Sequence, residues 1–160
     1  MALVRPTNDD VPGYLQELYK QLTLRPESWT PVLTCATPGD LSVSYTTQFG
    51  RKKLIGNYGL AWWNIVTSAF SYGGTASGSV HITGLGETAL NVTSLRNFGV
   101  LDYQGITKAN YTTFTPQLNA NSAVIIFSAA GSAQTRADLE IGDLPTGGDV
   151  ILRGWILFPI

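Results

Sequence analysis

The sequence predicts an antiparallel all-β domain, a jelly-roll-like β-sandwich, preceded by a short helical arm. Three observations support that class. Short runs alternate with period two: Leu41, Val43 and Tyr45 interleave with Ser42, Ser44 and Thr46, marking a strand with one face on a core. Turn-forming clusters recur along the chain, among them Thr37-Pro38-Gly39-Asp40, Gly73-Gly74, Gly84-Leu85-Gly86 and Pro145-Thr146-Gly147-Gly148. Helical periodicity stops before Trp29, and many short strands with frequent turns indicate a sandwich.

The elements follow in order. Asp9-Asp10-Val11-Pro12 offers an acidic N-cap followed by proline, and Leu15, Leu18, Tyr19 and Leu22 then repeat at helical spacing. A helix over 12–22 is therefore expected, too short to be stable without docking. Residues 24–28 read as a linker, which divides the chain into an arm, 1–28, and a β-sandwich knob, 29–160. Within the knob, strands are expected at 30–34, 42–48, 53–55, 58–67, 78–83, 95–103, 112–118, 123–129 and 150–158.

Three of these strands are apolar on both faces. In 58–67, Tyr58, Leu60, Trp62 and Val66 oppose Ala61, Trp63 and Ile65. In 123–129, Val124 and Ile126 oppose Ile125 and Phe127. In 150–158, Val150, Leu152, Ile156 and Phe158 oppose Ile151, Trp155 and Leu157. A strand apolar on both sides needs cover on both sides, whereas a two-layer sandwich covers one. A second copy of the chain is the expected cover, with Trp62, Trp63, Trp155 and Phe158 as candidate oligomer contacts.

Composition narrows the function. Charged residues make up only 13% of the 160, which argues against a disordered tail, and a net charge of −1 gives no attraction for nucleic acid or acidic lipid. The run Arg51-Lys52-Lys53 reads as a solvated hairpin tip. The single cysteine, Cys35, leaves no disulfide framework and sits in an apolar run. No stretch has the form of a signal peptide or the ~18 apolar residues of a membrane span, so synthesis in a reducing cytoplasm is expected. Sequons at Asn91 and Asn110 carry no weight there.

Chemistry is sparse. His81 is the lone histidine and has no partnered nucleophile in any motif. The acids Asp102, Asp138, Glu140, Asp143 and Asp149 are scattered, although two could meet in space as a glycosidase pair. No catalytic, cofactor-binding or metal-ligating set emerges, and a non-enzymatic role is expected.

A resemblance sharpens this. Trp29-Thr30-Pro31 with Leu33, the run Ala36–Tyr45, then Gly50, Lys53 and Ile55-Gly56 resemble β-rich domains of bacteriophage virion proteins. Such domains occur in tail fibres and other structural proteins, notably of phages infecting cyanobacteria and other aquatic bacteria. Asn64–Ser68, Ile82–Leu85, Gly105–Lys108 and Leu144–Gly148 extend the likeness over residues 29–160. Arg51 and Leu54 depart from the Gly-x-Tyr-x-Lys-like run expected at that hairpin. The resemblance implies a trimeric module on the virion surface and carries over no active-site residues. With only about 28 residues before the knob, the leading expectation is a capsid cement or decoration protein. In that reading Leu15, Leu18, Tyr19 and Leu22 bind the major capsid protein or another virion subunit. The alternative is the receptor-binding tip of a tail fibre, recognising host surface glycans. A third reading, a virion-associated glycan hydrolase, would rest on Asp102, Asp138 or Glu140.

Overall fold

The two longest strands, β3 (Ser42–Ile55) and β4 (Tyr58–Ser71), form a hairpin that anchors the computed structural model. Ile55 pairs with Tyr58 across a two-residue loop whose first residue, Gly56, has φ +58°. Two-residue hairpin loops require such a left-handed position, and glycine takes it without a Cβ penalty. The structure describes residues 25–92 and 94–160, together with Gly13, Leu15, Gln16 and Tyr19.

The remaining strands are β1 (Glu27–Trp29), β2 (Val32–Thr37), β5 (Ser77–Thr83), β6 (Arg96–Gln104), β7 (Thr113–Asn119), β8 (Ile125–Ala130), β9 (Ala137–Asp138) and β10 (Ile151–Pro159). A 3-10 turn at Ile141–Asp143 precedes β10. All pairings are antiparallel, in the order β1-β3-β4-β10-β6-β7-β8-β5-β2, with β9 beside β8. The expected antiparallel all-β class therefore holds, with the strands joined in one curled sheet and not in two separate ones.

Two places make the curl. β1 and β2 occupy opposite ends of the strand order yet are separated only by Thr30-Pro31. Proline has no N–H to extend a ladder, so the chain leaves β3 after Trp29 and joins β5 from Val32. Side chains of β3 stitch this seam. Gln48 Nε2 donates to the Pro31 carbonyl at 3.0 Å, and the Tyr45 hydroxyl accepts from the Leu33 N–H at 3.0 Å. At the other bend, β6 pairs with β7 through residues 96–98 and with β10 through residues 99–104. Gly99 permits the change of partner: a Cβ there would lie 1.9 Å from the Trp155 carbonyl oxygen.

The curl encloses one core. Trp63, Ile65, Leu152, Ile156 and Phe158 from β4 and β10 join Leu33, Val80, Ile82, Leu118, Ile125 and Phe127 from β2, β5, β7 and β8. Each such side chain contributes about 1.5–3 kcal/mol by leaving water. The predicted alternation on β4 is present, with Ala61, Trp63, Ile65 and Thr67 buried and Leu60, Trp62, Asn64 and Val66 partly exposed.

Several expected boundaries shift. The two strands expected at 42–48 and 53–55 are one, because Gly50 is no turn: the Trp29 ring fills the space a Cβ would take. Glu27 and Ser28, read as linker, pair with Lys52 and Arg51 and belong to the sheet. The helix expected over 12–22 lies largely outside the described residues. Of its stripe, Leu18 and Leu22 fall outside; Leu15 is exposed and Tyr19 partly so.

Candidate functional site

The outer face of the β3–β4–β10–β6 portion is the most distinctive surface among the described residues. Register sets its rows, because directly paired residues in a sheet point to the same side. One row runs Arg51, Trp62, Trp155, Val100; the next runs Lys53, Leu60, Leu157, with Phe98 following on β6. Trp155 is 45% exposed, Val100 55% and Phe98 46%. Leu60, Trp62 and Trp155 line a shallow depression whose walls are wholly apolar.

The row bordering this patch begins with exposed Phe49 and is polar from there on, through Asn64, Arg153 and Asp102. Arg153 Nε donates to Asn64 Oδ1 at 3.1 Å, and its terminal nitrogen lies 3.5 Å from the Asp102 carboxylate. Arg153 is thus engaged along its own row. On β3, the Arg51 guanidinium lies 5.2 Å from the Phe49 ring centroid and donates to Ser28 Oγ. Lys52 points the other way, donating to the Leu85 carbonyl and pairing with Glu87 at 2.5 Å. The Arg51-Lys52-Lys53 run therefore lies within the sheet as part of β3, and two of its side chains tie β1 and the loop after β5 to it, unlike the solvated tip expected.

Of the four candidate contact residues, Trp62 and Trp155 lie on this outer face as direct cross-strand partners. Trp63 and Phe158 point inward and are 2% exposed each. Sequence reasoning placed Leu60 and Leu157 on the right face without naming them as contacts, and it missed Phe98 and Val100 altogether. The signal was present: Phe98, Val100 and Asp102 alternate in β6 with Asn97, Gly99 and Leu101.

The acids separate. Asp102 sits on the outer face with Arg153. Asp138 and Glu140 lie beside β5, where Glu140 bridges Ser79 and the Val80 N–H donates to the Leu139 carbonyl. Partial burial raises the Glu140 carboxyl above its ordinary range; Lys108 opposes this, and Asp138 and Asp143 add to it. Asp143 itself pairs with Lys108 at 2.6 Å. His81 shares a hydrogen bond with Ser79 Oγ at 3.1 Å, and burial lowers its pKa against the opposing charge of Asp138. No cluster of three or more metal-ligating side chains forms among the described residues. Cys35 is buried and its thiol donates to the Thr37 carbonyl.

No family model matches the chain, and no curated protein matches it. Among solved structures, the chain is similar to the Dettilon tailspike protein, with a TM-score of 0.57 and 20% identity. The match covers 82% of this chain and 23% of that one, so this chain spans under a quarter of the spike's length. At that identity the likeness is one of fold: the curled antiparallel sheet is an architecture also found as one part of a phage tailspike.

Proposed function

We propose that this chain is a structural module of a bacteriophage virion, non-catalytic, and assembled from copies of itself as a homotrimer at the particle surface. The observation that carries this reading is the fold shared with part of a tailspike over 82% of this chain, beside the virion-protein resemblance of residues 29–160. The exposed aromatic face is consistent with a module that works in assemblies.

Within the virion, a spike or fibre module is the reading we favour, because the shared fold is one segment of a spike. A receptor-binding tip, with surface loops meeting host glycans, falls within it. Capsid cement depends on the arm stripe Leu15, Leu18, Tyr19 and Leu22 binding the shell. Purified full-length protein, and a full-length variant with Leu15, Leu18 and Leu22 changed to Glu, can be tested on undecorated capsids, spike-less particles and host envelopes. Binding to spike-less particles or to envelopes, kept by the variant, is the expected result. Binding to capsids that the variant loses would establish cement instead. Absence of the protein from purified particles, by mass spectrometry, would contradict the virion reading itself.

A further inference from the structure

We propose that the outer face of β3, β4, β10 and β6 is the contact between copies of this chain, centred on the cross-strand pair Trp62 and Trp155. This deepens the reading of the chain as a self-assembling virion module and rests on it for the identity of the partner.

Four observations support a second copy as the occupant. First, the face is apolar at its centre and continuous over neighbouring strands, with Leu60, Trp62, Trp155, Leu157 and Val100. Phe98 adjoins it beyond the bend in β6, with the Arg136 guanidinium 5.0 Å from its ring centroid. Large aromatics at the middle of a patch, ringed by polar groups, are the usual anatomy of a protein contact. Second, the apolar surface reaches both sides of the face: the depression of Leu60, Trp62 and Trp155 lies on the β4 side, and Val100, the most exposed of these side chains, on the β6 side.

Third, the charged groups bordering the apolar centre are matched within one copy: Arg153 with Asn64 and Asp102, Arg51 with Ser28 and the Phe49 ring, and Arg136 over the Phe98 ring on the β6 side. A second copy therefore covers the face without burying an unpaired charge. A second copy that brings its β6 border to the first copy's β3 border sets Val100 against the apolar depression. Fourth, the size is adequate. Four strands lie side by side over Ile151–Ile156, roughly 20 by 20 Å, and three continue to Pro159, about 10 Å further, at ordinary strand spacing and rise. That footprint is of the order of the ~800 Å² per partner found in stable interfaces.

A sugar is the less suitable occupant. Sugar hydroxyls need hydrogen-bonding groups beside the stacking ring, yet the depression between Trp62 and Trp155 offers none, and Arg153 next to it is held by Asn64 and Asp102.

The test is sedimentation velocity on the full chain: wild type, Trp155→Glu, Val100→Asp and, on a different face, Thr113→Glu. Circular dichroism and thermal unfolding establish that each variant is folded, and Leu157→Glu replaces Trp155→Glu if that chain does not fold. The expected result is an assembled wild type and Thr113→Glu. The face variants should be folded monomers, their self-association weakened by roughly a hundredfold or more, as for loss of a central aromatic. Face variants that stay assembled would overturn the proposal while leaving the virion reading intact. A monomeric wild type would overturn it too, as would a wild type retained on host polysaccharide through Trp155; particle mass spectrometry judges the virion reading separately.

Discussion

Trp62 and Trp63 are neighbours on β4, and the period of a strand sends them to opposite sides. Trp63 fills the core against Gly154, where its ring would meet any added Cβ at 2.7 Å, and its Nε1 is buried without a hydrogen-bond partner. Trp63→Ala should therefore cost about 3–5 kcal/mol in urea unfolding, through lost burial and a cavity. Trp63→Phe should cost less, because it also removes an unsatisfied donor. Trp62→Ala should scarcely change the unfolding of a single copy. Alternation alone made this opposition legible; which tryptophan faced the core depended on the register with β10.

His81 provides a pH-dependent prediction at the same scale. Its folded pKa lies below the ordinary 6.5, chiefly through burial. The unfolded chain therefore binds the proton more readily than the folded one as pH drops through 6.5. The stability associated with the neutral ring is present above that value and is lost as pH falls from 6.5 toward the folded pKa. Glu140, raised by burial, contributes with the opposite sign above its ordinary carboxyl value. In melts across this range, His81→Asn should show a smaller fall in midpoint below pH 6.5 than wild type. An identical fall would mean that other groups govern the response.

At the scale of elements, glycines mark where strands meet something large and not only where they end. Gly50 looks like a break in sequence but lies inside β3, because the Trp29 ring occupies the space over it. Gly99 allows β6 to pass from β7 to β10. Gly99→Ala would force its methyl into the Trp155 backbone, which has no rotamer to yield. It should lower stability by about 1–3 kcal/mol and speed amide exchange in residues 99–104 and 151–156. Unchanged exchange there would show that the crossing tolerates a side chain. Strand existence was readable from period-two runs over most of the knob. The two-residue β9 and the extension of β1 to Glu27 were not, since each is held by distant partners: Ser128 and Ala129 for β9, Arg51 and Lys52 for β1.

At the scale of the molecule, the curled sheet is closed by contacts far apart in sequence. The seam at Thr30-Pro31 depends on Tyr45 and Gln48, and Lys108 ties the loop after β6 to the 3-10 turn through Asp143. Strand order was not legible, because nothing in the residues near Pro31 states that β2 will pair with β5 while β1 pairs with β3. The second apolar face was legible, in strands apolar on both sides. The core absorbs one face of each: Trp63 and Phe158 lie in it, and Trp62 and Trp155 are left outward. The arm stripe expected to bind a capsid lies largely outside the described residues, with Leu18 and Leu22 beyond them.

The most direct measurement is hydroxyl-radical footprinting of the tryptophans in the assembled full-length protein, read by mass spectrometry beside the folded Trp155→Glu chain. Trp62 and Trp155 should be as protected as core Trp63 in the assembly, and Trp62 should become reactive in the variant while Trp63 does not. Ready oxidation of Trp62 and Trp155 in an intact assembly would contradict the proposed contact, because the face assigned to the partner would then be open to water.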